Sequence, residues 1–497
     1  MEGNLTDNSR TVWCSIIAFT LVLLFAPLLN AQNQHIFDKP YSGGYLAAKA
    51  FKAGQLLPHG GTLNRIAPPS LTCSPAPCAF TPVDAAEGGT LPVNEDPIAV
   101  NPNNSSQILT GGNDYNCGNI QGFFASGDGG TTWTHVCSPG SGGEGDPIVG
   151  YDLNNVAHAG GIQNGSVVGF TSTNNGMTWS APTTIITAKL GYLADKPWMQ
   201  IDTNSSSSFK NNIYVSTTQF GPFNGSSQQS QIWVSHSTDG GKTWTSKSVS
   251  AVTTTTVNQF SDLGIGADGT VYATWINCPA NGFLSPYCGG QKTNIMFSKS
   301  TDGGNTWSSP STATTVTLVT DNGCCFYGQL PNTSERVSNI PAVAAFGSGS
   351  TAKVYISVYN WTGTQMQQEV VTSTNGGSSF GSAVIVNPTS TKGDQFFQWL
   401  TVNSAGTLGV TWLDRRNDPS NLSYQPFFAF SKNSGASFSK GHALSKSKSN
   451  PNNDGFGGGF MGDYTGNAWN GTKTLVQSYM DTTTGTSQDF VTGVLFP

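Results

Sequence analysis

From about residue 90 onward, short runs of alternating apolar and polar positions recur in a fixed order. In the clearest unit FSDLGIGA (260–267) is followed by GTVYATWI (269–276), TNIMFSKS (293–300) and a polar outer run. A period of two in β-branched and aromatic residues, punctuated by turn formers, predicts four antiparallel strands per unit. Matching units start near Asp96, Asp146, Asp195, Asp262, Asn339, Gln398 and Asp463, giving seven inner strands.

Between the third and fourth strands of six units lies one pattern, Ser-x-Asp/Asn-x-Gly-x-Thr/Ser-Trp/Phe. The copies are SGDGGTTW from Ser126, STNNGMTW from Ser172, STDGGKTW from Ser237, STDGGNTW from Ser300, STNGGSSF from Ser373 and SKNSGASF from Ser431. Their starts are 46, 65, 63, 73 and 58 residues apart, the length of a four-stranded propeller blade with variable loops. The acid or amide accepts bonds from its own turn, glycine supplies positive φ, and the hydroxyl closes the hairpin. The aromatic tucks beneath the blade; burying roughly 150–250 Å² at about 25 cal/mol per Å² contributes about 4–6 kcal/mol before entropy. Asp128, Asp239 and Asp302 are therefore read as architectural.

The seventh unit has no such turn and offers only DYTGNAW, TKTLVQSYM and QDFVTGVLF. Its fourth strand is expected from Ala79 to Val83, so that the two ends of the chain close the ring and remove exposed sheet edges. The predicted fold is all-β: a propeller of four-stranded antiparallel blades, seven favoured and six the alternative. Three regions follow: 1–31, 32–90 as an extension that contributes the closing strand, and 91–497 as the propeller.

Composition agrees with this pattern. Glycine makes up 60 of 497 residues and charged residues only 10%, so long helices are not expected. A net charge of -6 with 22 Lys plus Arg spread along the chain leaves no basic stripe for nucleic acid. The run TVWCSIIAFTLVLLFAPLL before Ala31 reads as an export signal cut after Ala31, an uncleaved anchor being the alternative. A secreted chain, extracellular or periplasmic, with no further membrane contact and monomeric, is expected. Without Cys14, eight cysteines remain, an even number suited to an oxidising compartment. Local pairs are Cys73 with Cys78, Cys117 with Cys137 and Cys278 with Cys288; Cys324 and Cys325 either pair with each other or rearrange these.

Candidate chemistry gathers where inner strands begin, at the top of the central channel. Asp96, Asp146, Asp195, Asp262 and Asp463 fall there; such carboxylates must be hydrogen-bonded, take raised pKa values or share a cation, and Asp96, Asp146, Asp195 and Asp463 are candidates for calcium. No cofactor is required. Arginine occurs only at positions 10, 65, 336, 415 and 416. Arg336, Arg415 and Arg416 are expected on the top face, able to grip an anionic sugar or be neutralised by Asp414 and Asp418. Trp275, Trp361 and Trp412 close second strands or open top loops, as sugar-stacking or packing residues.

Repeated turns of this kind, known as Asp boxes, resemble the sialidase superfamily, also described as bacterial neuraminidase repeat proteins, over residues 90–497. The resemblance implies a propeller that acts on or binds extracellular glycans or glycoproteins. It implies an exo-sialidase type of glycoside hydrolase or, because Asp boxes report architecture, a non-catalytic glycan- or protein-binding propeller. Sialidases use three arginines for the substrate carboxylate, a Tyr activated by a Glu as nucleophile and an Asp as acid/base. The candidates here are Asp262, Tyr464, Arg336, Arg415 and Arg416. The chain departs from the family pattern at Arg65-Ile66-Ala67-Pro68, where Arg-Ile-Pro is expected, and at FSDL, where Phe260 takes the Tyr position. Glu144 and Glu335 are the Glu candidates on the top face.

Overall fold

Seven antiparallel sheets form in sequence order, one for each unit. The computed structural model describes residues 36–62, 73–86, 89–188, 192–224, 227–280, 287–387 and 393–496. The expected export segment and Arg65 lie outside the described residues. Inner strands run Ile98–Asn101, Ile148–Tyr151, Leu193–Ile201, Val257–Ile265, Ala342–Phe346, Gln395–Val402 and Gly466–Asn470. In each of the six blades that carry a box, the third strand ends at the box serine, as in Gly122–Ser126 and Lys292–Ser300.

The ring closes as the pattern predicts. Strand Gln488–Leu495 of the seventh blade pairs with Cys78–Ala79 and Val83–Asp84, with Cys78 opposite Leu495 and Val83 opposite Val491. An amino-terminal strand thus completes the carboxy-terminal blade and removes its free edge. Cys73–Cys78, Cys117–Cys137, Cys278–Cys288 and Cys324–Cys325 are paired.

The turn from Ser237 shows why the repeat has its letters. Asp239 Oδ1 accepts from Ser237 Oγ at 2.8 Å, Lys242 N at 3.1 Å and Thr243 N at 3.0 Å, and Oδ2 accepts from Thr243 Oγ1 at 2.7 Å. These bonds, led by that of Thr243 Oγ1, hold its carboxyl down to about 2. Gly240 and Gly241 take φ of 74° and 85°, which side chains resist. Asn375 fills the same role in blade 5, accepting from Ser373 Oγ at 2.8 Å and Ser379 N at 3.0 Å.

Apolar layers lie between neighbouring blades. Leu109, Phe123 and Ala125 of the first blade pack with Val149, Ala159 and Phe170 of the second, and Trp179 of the second box lies 5.2 Å from Phe123. A blade alone cannot bury such a face, so each needs its neighbour.

One element departs from expectation. Residues Gly43–Lys52 form an α-helix, α1, capped by Ser42, whose Oγ accepts from Tyr45 N at 3.3 Å. The region 32–90 therefore supplies a helix as well as the closing strand.

Candidate functional site at the channel mouth

At the entrance of five inner strands a residue other than glycine adopts left-handed φ: Glu95 at 64°, Asp146 at 54°, Lys196 at 46°, Phe260 at 60° and Phe397 at 51°. Pairing registers shift at the same level, between Asp195 and Trp198, Gln259 and Asp262, and Phe396 and Trp399. Asp146 and Lys196 also precede prolines, where left-handed backbone is doubly disfavoured. Such bulges re-aim side chains, and strain of about 1–3 kcal/mol per residue persists only where the surroundings hold it.

The bulges bring four buried carboxyl groups together, those of Glu95, Asp146, Asp195 and Asp463. Arg336 binds Asp463 through two parallel bonds, Nε to Oδ1 at 2.8 Å and Nη2 to Oδ2 at 2.9 Å. Glu95 Oε2 accepts from Asn113 Nδ2 at 2.9 Å. Asp195 Oδ2 accepts from Gln259 Nε2 at 2.5 Å. Lys196 sends its ammonium over the rings of Tyr464, at 4.1 Å, and Trp198, at 4.5 Å.

Burial dominates the electrostatics here. It pushes Glu95 well above the usual carboxylate range, reinforced by the neighbouring carboxyl groups of Asp146 and Asp463. Burial, with Asp146 adding to it, raises Asp195 to about 7. Lys196 is lowered by burial against the pull of the surrounding acids. Burial alone would lower Arg336, but Asp463 reverses this and raises it.

The start of α1 sits on this cluster. Ser42 donates from N and Oγ to Asp195 at 2.8 and 2.9 Å, Gly43 N donates to Asp463 Oδ2 at 2.7 Å, and Gly44 N donates to Glu95 Oε1 at 3.2 Å. Free amides and the positive end of the helix thus face the acids. There is no room for side chains: a Cβ on Gly43 would lie 2.1 Å from the Phe460 ring, and one on Gly44 would lie 2.4 Å from both Asp146 Oδ1 and Glu95 Oε2. The preceding segment is held too, with Tyr41 O accepting from Arg336 Nη2 at 2.8 Å and Pro40 O from the Tyr327 hydroxyl at 2.6 Å. Phe37 stacks on Phe460 at 5.3 Å, and Tyr41 meets Phe220 edge-on at 5.2 Å.

Of the residues singled out from sequence, Asp146, Asp195, Asp463 and Arg336 converge here. Asp96 stands apart; its buried carboxyl is raised by burial and then by Asp489. Asp262 turns to the next blade, its Oδ2 accepting from Val343 N at 2.6 Å, and burial raises it to about 7. Tyr464 is buried with its hydroxyl donating to Pro147 O at 3.1 Å. Arg415 donates to Pro331 O at 2.7 Å, and Arg416 pairs with Asp414, its Nε to Oδ1 at 2.9 Å. Trp275 and Trp412 are buried, bonded through Nε1 to Asn258 at 3.1 Å and Asp414 at 2.7 Å, and present no ring to solvent; Trp361 is half-buried.

Glu95, Lys196, Gln259 and Ser42 were not singled out. Glu144 Oε2 accepts from Gly165 N at 2.6 Å, and Glu335 Oε1 from Gly459 N at 2.9 Å, so both Glu candidates are bonded to loop backbone. At the box end of the channel lies a second, uncharged cavity of about 600 Å³, lined by residues such as Gln200, Asn204, Phe346, Thr401 and Asn403.

Six of the seven blades are tied by such a turn. No family model and no curated protein matches the chain. Among solved structures, a protein of unknown function from Dyadobacter fermentans is 12% identical, with 85% of this chain and 100% of that one covered and a TM-score of 0.47. A Hadza microbial sialidase is 12% identical, with 81% and 66% covered and a TM-score of 0.43. An α-L-arabinofuranosidase from Fusarium graminearum is 11% identical, with 70% and 92% covered and a TM-score of 0.43. Likenesses at this level carry no functional argument.

Proposed function

We propose that the chain is an exported, glycan-directed propeller whose working site is the carboxyl cluster at the channel mouth, acting as a glycoside hydrolase on neutral sugars. The observation that carries this reading is the convergence of the buried Glu95, Asp146 and Asp195 carboxyl groups beside Asp463, which Arg336 holds through two parallel bonds. Glycoside hydrolysis needs one carboxyl that stays protonated to assist the leaving oxygen and a second that stays ionised to act as base or nucleophile. Glu95, raised by burial and its acidic neighbours, suits the acid. Asp463, paired with the Arg336 guanidinium, suits the base or nucleophile.

An anionic sugar fits less well. Arg336 is the one guanidinium in the cluster among the described residues, and its Nε and Nη2 are committed to Asp463 and Tyr41 O. Arg415 and Arg416 are committed in their own loops. A sialoside carboxylate would meet four carboxyl groups without a free clamp. Tyr464 is a poor nucleophile, because burial first and then the surrounding acids raise its hydroxyl well above the usual range.

The test is hydrolysis of a panel of nitrophenyl glycosides, neutral and sialylated, by the full chain and by Gly44→Val, whose side chain has no room beneath the helix. Turnover of a neutral glycoside, lowered about 100-fold or more by Glu95→Gln, is expected. Preference for the sialoside, turnover that ignores Glu95→Gln, or no turnover by either chain would reject the reading.

A further inference from the structure

We infer that residues 36–57 are a displaceable cap, an intramolecular ligand of the channel mouth that is read through the Ser42-Gly43-Gly44 start of α1. Its effect on turnover rests on the functional reading above; its binding does not.

The ring is complete without the cap. All seven sheets are built from residue 78 onward, and the closing strand comes from Cys78–Ala79 and Val83–Asp84. Residues 36–57 add no strand, so lifting them breaks no blade.

The contact has the form of ligand recognition. Three consecutive residues offer their amides, and Ser42 its hydroxyl, to carboxyl groups from three blades. The Gly43-Gly44 pair is required because the mouth leaves no space for a Cβ at either position. Apolar anchors flank the polar contact on both sides, with Phe37, Tyr41, Leu46 and Leu56 buried.

The cap also leaves the mouth incompletely satisfied. Arg336 Nη1, Lys196 Nζ, Gln259 Oε1 and Asp146 Oδ1 belong to fully buried residues and have no hydrogen-bond partner among the described residues. A permanent core element would be expected to meet such groups. Two donors and two acceptors left over at the mouth suit a ligand richer in hydroxyls than the helix start, which is the chemistry of a neutral glycan. A short tether holds the cap at an effective concentration of about 1 mM, which favours the closed mouth over free exchange of the segment. Cap and glycan then compete for one site.

The experiment titrates a fluorescent peptide of residues 36–57 into the full-chain Gly44→Val variant and follows anisotropy. Saturable one-to-one binding is expected, weakened at least tenfold when the peptide itself carries Gly44→Val. The wild-type peptide should also suppress whatever glycoside turnover the variant gains. If the variant's α1 amides exchange rapidly yet the peptide does not bind, the inference is overturned. It is equally overturned if those amides exchange as in the wild type, or if a glycoside is turned over and wild type and variant do so at the same rate. Ser42→Ala serves as the milder variant should Gly44→Val misfold. Peptide binding without turnover of any glycoside would support the cap and reject the hydrolase reading, which keeps the two failures apart.

Discussion

Asp195→Ala removes the acceptor on which the first turn of α1 rests, and its consequence is both local and calculable. The carboxyl accepts from Ser42 N at 2.8 Å, Ser42 Oγ at 2.9 Å and Gln259 Nε2 at 2.5 Å. With burial raising its pKa to about 7, the group is mostly protonated at pH 6, so each bond is nearer the neutral value of about 1 kcal/mol than that of a full charge. The Ser42 hydroxyl can rotate and Gln259 keeps Pro40 O at 3.3 Å, while Ser42 N is left facing a void. The net cost is about 2–3 kcal/mol. At 1.36 kcal/mol per decade this becomes roughly 30- to 150-fold faster hydrogen exchange of the α1 amides, if they exchange through lifting of the cap. Mass spectrometry of peptides spanning 45–56 should show that acceleration at pH 6, with strand Val271–Cys278 of blade 4 unchanged. Unaltered helix exchange, or equal acceleration in blade 4, would refute the idea that this carboxyl holds the cap.

Three further outcomes are expected. Asp195 and Asp262 are raised to about 7 in the folded chain from an ordinary 3.8, so the native state binds extra protons and stability falls as pH rises from about 4 to about 7. Urea midpoints should be higher at pH 5 than at pH 8, and the reverse order would contradict the assignment; Asp239, held low, acts only below about pH 4. Asp239→Ala should cost about 1 kcal/mol, as a lost turn cap does, while Asp239→Asn should cost a few tenths, because Asn174, Asn375 and Asn433 already close equivalent turns; equal losses in denaturant titrations would argue against a capping role. Trp275→Ala should cost about 3–5 kcal/mol through loss of buried volume and leave the KM for any glycoside unchanged, whereas a raised KM with normal stability would restore Trp275 as a sugar-stacking residue.

Much of the fold was legible because its determinants are local. Each blade announces itself by a period of two, and each box carries its own acceptor, glycine and hydroxyl within eight residues. Even the closing strand at 78–84 was readable, since the seventh unit lacked a partner and the amino-terminal region supplied one apolar run. The helix was not legible. Two glycines are a poor helix start, and what holds that start in place is Asp195, 153 residues from Ser42, and Asp463, 420 residues from Gly43. Glu95 was passed over because its neighbour Asp96 fits the strand-start pattern; the left-handed bulge at Glu95 exchanges their roles. Arg415, Arg416, Trp275 and Trp412 looked available because their acceptors and their burial arise between loops and blades, which spacing along the chain does not record.

The most direct measurement is a crystal structure of the chain at a resolution that places main-chain atoms. Ser42 N within hydrogen-bond distance of Asp195, Gly43 N likewise on Asp463, and seven closed blades beneath them are predicted. An intact ring with an open, water-filled mouth and residues 36–57 elsewhere would contradict the capped site.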